Sequence, residues 1–141
     1  MITDDRGAWQ WFLTTVFTLA HFLFGRWSLP LQILVTFIVI DYFTGLSAAF
    51  AGKRVSSSIG YTGILKKVGI LVLISISHML DCAITPLSPI LSTAVTWAYI
   101  GNEGISILEN LSEMGIWIPP VLKEALGKLR KDDQKLPTER S

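Results

Sequence analysis

Long apolar blocks constrain this chain more than any other feature. Residues 34–40 and 70–76 leave almost no polar face when wound as helices. A soluble domain of 141 residues builds its core from amphipathic helices or alternating strands. It has too little other protein to surround several helices that are apolar all round. Half of the residues are hydrophobic and mean hydropathy is positive, so lipid is the solvent these blocks require. The expected fold class is an all-α integral membrane protein.

About 20 apolar residues cross the hydrocarbon layer as a helix, and four segments come close to that length: 8–24, 29–50, 63–84 and 90–112. The first is the shortest and contains Gln10 and His21, so the bundle has three or four spans. Trp9, Trp11 and Trp27 suit the two membrane interfaces. This segment has no small-residue cleavage site and is expected to be retained. Pro30 fits a first helical turn, and Gly52 followed by Lys53 and Arg54 fits a helix end. Lys66 and Lys67 are placed to snorkel to headgroups. Beyond Pro119-Pro120, Val121, Leu122, Ala125, Leu126 and Leu129 share one helical face, opposite Lys123, Lys128 and Lys131. The expected organisation is a transmembrane domain over 1–118, an amphipathic interfacial helix over 119–131 and a polar tail over 132–141.

Cations fix an orientation. Lys53, Arg54, Lys66 and Lys67 form one cluster of basic anchors, and six more Lys and Arg follow residue 112. With four spans these ten and Arg6 lie inside and only Arg26 outside, which places the C-terminus in the cytoplasm. A three-span chain keeps the same ten inside. Lipid is one expected partner.

The same composition argues against other classes. No basic stretch carries the interleaved aromatics of a nucleic-acid surface. Cys82 is the single cysteine, so an internal disulfide and a cysteine metal cluster are excluded, and its role is packing or an intermolecular bridge. His21 and His78 read as isolated polar side chains without metal-ligand spacing. Ser56-Ser57-Ser58 lacks a phosphate cradle or nucleophile elbow. No catalytic, metal or cofactor site is expected.

Acidic residues at membrane depth are the candidate functional groups, because each charge at a helix centre costs at least about 2.5 kcal/mol. Asp41 lies within the second segment and Asp81 near the outer end of the third. In the fourth, Ser92, Thr96, Tyr99, Asn102, Glu103, Ser106, Glu109, Asn110 and Glu113 fall on about a third of the helix circumference. Such a stripe is either a polar seam between helices or the wall of a water path. A subunit this small encloses no wide channel alone, so a water path implies self-association. Gly45, Ala48, Ala49 and Gly52 offer a small-residue surface for helix contact.

Three stretches carry a resemblance. Val39-Ile40-Asp41-Tyr42-Phe43-Thr44-Gly45, the segment from Ser56 to Lys67 and Asn102-Glu103-Gly104-Ile105-Ser106-Ile107-Leu108-Glu109-Asn110 resemble, in order and spacing, the toxin-secretion and phage-lysis holin family. Ile118-Pro119 followed by Leu122-Lys123-Glu124-Ala125-Leu126 fits that family's C-terminal pattern. The resemblance covers roughly 34–131 and implies a non-enzymatic protein that oligomerises in the cytoplasmic membrane and permeabilises it. An endolysin or a toxin would then leave the cytoplasm. Rival readings are a small proton-coupled transporter, which needs a defined substrate site, and a scaffold acting through the C-terminal helix.

Overall fold

The computed structural model describes residues 5–53, 57–84 and 86–131. Arg54, Ser56 and the polar tail over 132–141 lie outside the described residues. Five helices follow one another, and no strand occurs among the described residues: α1 Asp5–Phe24, α2 Leu29–Ala51, α3 Ser57–Ile84, α4 Ile90–Glu113 and α5 Pro120–Lys131.

Local chemistry sets the boundaries. The Ser28 hydroxyl accepts from the Leu31 amide at 3.4 Å and Pro30 occupies the first turn of α2, where its missing N–H costs nothing. That helix ends as its Gly52 amide donates to the Ala48 carbonyl at 2.9 Å, and Lys53 rather than Gly52 takes the left-handed backbone (φ 52°). The third helix starts at Ser57, six residues before the expected start of its span at residue 63, so Gly60 and Gly63 are helical and lie close to Tyr42 of α2. Between α1 and α2, Gly25 adopts φ +65°, and a Cβ there would lie 2.4 Å from the His78 ring, so both the turn and the close approach require glycine.

The central helix is α4. It packs most extensively along α2, then against α5 and α3, whereas α2 and α3 touch little and α1 packs against α3. A small apolar cluster of Leu31, Leu34, Ile70, Ile74 and Ile100 ties α2, α3 and α4 together.

The distribution of polarity is inverted relative to a soluble protein. Asp41, Ser77, Asp81, Thr96 and Glu103 are buried, while Val39, Ile40, Phe43, Phe50, Val68, Val72, Ile76 and Leu80 point outward. Phe43 is 62% exposed in the middle of the chain's most apolar helix. Soluble monomers do not present apolar surface of that continuity. Two helical stretches, Leu29–Ala51 and Gly60–Ile84, are long and apolar enough to cross a membrane, and little of either is buried inside the protein. Hydroxyls on the outer faces bond within their own helix, as Thr14 to the Gln10 carbonyl at 2.9 Å and Thr18 to the Thr14 carbonyl at 2.8 Å. Hydrocarbon tolerates them in that state.

Candidate functional site

Three charged residues from three helices meet at the centre of the bundle. Asp41 on α2, Lys67 on α3 and Glu103 on α4 each lie ten residues from the same end of the bundle, about 15 Å along their helices. The Lys67 ammonium stands 2.5 Å from the Asp41 carboxylate and also pairs with Glu103. Asp41 is 7% and Glu103 4% exposed. The second Asp41 carboxylate oxygen accepts from the Asn110 amide at 3.1 Å, and the same amide donates to Thr44 Oγ1 at 3.1 Å. One lysine thus faces two carboxylates, and the Asn110 amide adds a neutral donor to Asp41.

The sequence reading placed Lys67 with Lys66 at the headgroups. Lys66 is exposed, but the Lys67 side chain turns inward. A signal for this exists in the sequence. Residues 67, 70, 74, 77 and 81 form one helical stripe, on which Ile70, Ile74, Ser77 and Asp81 are all buried; Lys67 continues that stripe and Lys66 does not.

The α4 stripe divides. Glu103 and Asn110 are tied to α3 and α2, and with Asp41, Lys67, Tyr99, Asn102, Ser106 and Glu109 they line a groove of about 1160 Å³ that also runs past Tyr42, Gly45 and Lys66. Asn102 and Glu109 are exposed. The groove lies between α2 and α3, which touch little, and α4.

Asp81, expected near an interface, performs a structural task. Pro89 supplies no side-chain cap to α4. Asp81, 2% exposed, accepts instead from the amides of Leu91 and Ser92, both at 2.8 Å, and from the Ser92 hydroxyl at 2.6 Å. It acts as an N-cap donated by the preceding helix, with its charge on the positive end of the α4 dipole.

The small-residue surface is partly consumed within the subunit. A Cβ on Gly45 would come within 3.4 Å of the Asn110 amide, and Ala48 is buried. Ala49 is half-buried and Gly52 exposed. His21 and His78, read as isolated polar side chains, line one cavity of about 500 Å³ with Gly25, Arg26, Met79 and Cys82. Cys82 is exposed, with His78 Nε2 at 3.7 Å from its sulfur. No group of three or more His, Cys, Asp and Glu among the described residues is arranged to hold a metal ion.

The sequence pattern of the Bacteriophage holin family matches residues 18–131, the stretch that contains the whole charged centre and α5. The chain belongs to the bacteriophage holin family. Holin-family membership, with two helices apolar enough to span, makes this a membrane protein and supports a holin role. The chain is 38% identical over 130 residues to an uncharacterised protein of Halalkalibacterium halodurans, covering 89% of this chain and 96% of that one. It is 41% identical over 120 residues to an uncharacterised 14.9 kDa protein of Clostridium perfringens, covering 85% and 91%. A protein of Bacillus phage phi105 named "Probable holin" is 32% identical over 115 residues, covering 81% of this chain and 84% of its own. No solved structure matches this holin-family chain.

Proposed function

We propose that the protein self-associates in the bacterial cytoplasmic membrane and permeabilises it, releasing an endolysin or a toxin from the cytoplasm. The observation that carries this reading is the polar centre of the bundle: a buried, incompletely neutralised ion cluster beside a groove lined by Asn102, Ser106 and Glu109, within helices whose outer surfaces suit lipid. Lipid is a poor occupant of such a groove. Polar surface of a neighbouring subunit fills it in the closed state and water fills it as the assembly opens.

Helices α1 to α4 are the spans in this reading, with α4 tolerated at membrane depth because its polar stripe is turned toward protein. The excess of cations at 53–67 and beyond 112 puts the C-terminus in the cytoplasm. The Asp41–Lys67–Glu103 cluster is the latch. While dry, its charges hold three helices at one level; once water arrives, each ion gains solvation and the pairing loses its advantage.

Controlled expression in a bacterial host, with and without a cytoplasmic endolysin, tests the proposal. Delayed, abrupt loss of membrane potential followed by lysis only when endolysin is present is the expected outcome. Sustained potential and unchanged turbidity at confirmed membrane insertion would refute it.

A further inference from the structure

The polar groove has a counterpart on another helix of the same subunit. On α1, Gln10, Thr14, Thr18 and His21 fall within roughly 80° of the helix circumference, and all four are exposed. The Thr14 and Thr18 hydroxyls donate to carbonyls of their own helix at 2.9 and 2.8 Å, which leaves their oxygens able to accept. The Gln10 side-chain amide has no hydrogen bond among the described residues. The groove offers the complementary set: donors on Tyr99, Asn102 and Ser106, and an acceptor on Glu109. The side chains of Tyr99, Asn102 and Glu109 make no hydrogen bond among the described residues either.

The levels agree as well. Helix α1 meets α3 where Gly25 approaches the His78 ring. Thr14 is eleven residues before Gly25, and Lys67 is eleven residues before His78. Because α1 and α3 run in the same direction, Thr14 stands at the level of Lys67 and so of Glu103. Thr18 and Tyr99 are each four residues from that level toward the α3–α4 turn. Gln10 is four residues the other way, between Ser106 at three and Glu109 at six.

Helix α1 cannot reach the groove of its own chain. On α3 the groove is lined by Lys66, Gly69 and Leu73, whereas His78 and Cys82, beside α1, lie roughly 160° around the helix. The body of α3 stands between.

From this we propose that the groove receives α1 of a second copy of the chain, with the Gln10, Thr14 and Thr18 stripe seated on Tyr99, Asn102, Ser106 and Glu109. Gln10 then donates to Glu109, Asn102 to Thr14 and Tyr99 to Thr18. Stripe and groove lie on opposite flanks of α3, so the contact is head-to-tail: each subunit gives α1 to one neighbour and receives it from the other. Upright subunits in one membrane plane close such a series into a ring. This rests on the self-association in the proposed function and names its surface.

The test uses the full chain with Cys82→Ser, Thr14→Cys and Ser106→Cys, expressed in a bacterial host whose membranes are then isolated and treated with a short membrane-permeable bis-maleimide. A ladder of cross-linked trimers and larger species is expected, with little product from either cysteine alone. Dimers from Ser106→Cys alone would set groove against groove, and a cross-link confined to the monomer would put α1 in its own groove; either overturns the proposal. Absence of any product leaves the groove to lipid or water and overturns it too. Gln10→Leu in the same background is expected to thin the ladder several-fold at equal insertion, and an unchanged ladder would contradict the seating. Membrane potential, followed in the expressing cells, separates the two readings. Depolarisation by a chain that gives no ladder overturns the seating alone, whereas a ladder from a chain that never depolarises the cell supports the seating and refutes permeabilisation.

Discussion

The Lys67 ammonium of α3 lies 2.5 Å from the Asp41 carboxylate of α2, with Glu103 of α4 on its other side. That relationship joins three helices at one level of the bundle. Lys67→Met leaves two buried carboxylates facing each other without a cation. Loss of one partner of a buried pair costs about 3–5 kcal/mol. Denaturant unfolding in detergent should show a loss of that order, and adding Asp41→Asn and Glu103→Gln to Lys67→Met should recover part of it.

The two glutamates of the stripe should differ. Glu103 is buried against Lys67, whereas Glu109 is exposed on the groove. Glu103→Gln removes the excess negative charge of the cluster while keeping a hydrogen-bonding partner for Lys67. At equal protein level it should delay depolarisation, and Glu109→Gln should shift the onset less. Identical timing of wild type and both variants would rule out the cluster as the latch.

Asp81→Ala should weaken the start of α4 without touching the charged centre. The loss of an N-cap is worth about 0.5–2 kcal/mol, and the Leu91 and Ser92 amides lose their acceptors. Hydrogen exchange should speed up at those two amides, with Asp81→Asn intermediate. Protection that is unchanged in Asp81→Ala would contradict the capping role.

A reporter that is active only in the cytoplasm, fused after residue 141, should be active, and a reporter active only outside should be silent. The cations beyond residue 112 are the reason. The reverse pattern would invert the proposed topology.

The helices were legible from hydropathy because apolar runs need no knowledge of what they pack against. Expected boundaries at 29–50 and 90–112 fall within a residue of α2 and α4 at each end. The expected start at residue 63 falls six residues inside α3, where close approach to Tyr42 favours small residues within the helix at positions 60 and 63. Asp41 and Glu103 stood out as costly charges, but their cation was assigned to headgroups because lysine near a segment start commonly snorkels. Which of two adjacent lysines turns inward is decided by the 67–70–74–77–81 stripe, a relation among helix faces rather than a property of Lys67 alone. The position of α5 was less legible still. Its amphipathic pattern specifies an apolar partner without naming one, and the partner is a socket made by the missing side chain of Gly104.

The most direct test of the central claim is release from vesicles of bacterial lipid that hold both a small dye and a folded enzyme, after addition of the purified chain alone. The account predicts that both leave once the protein passes a threshold density, because subunits assemble around water. Retention of both cargoes at densities where the protein is fully inserted would contradict it.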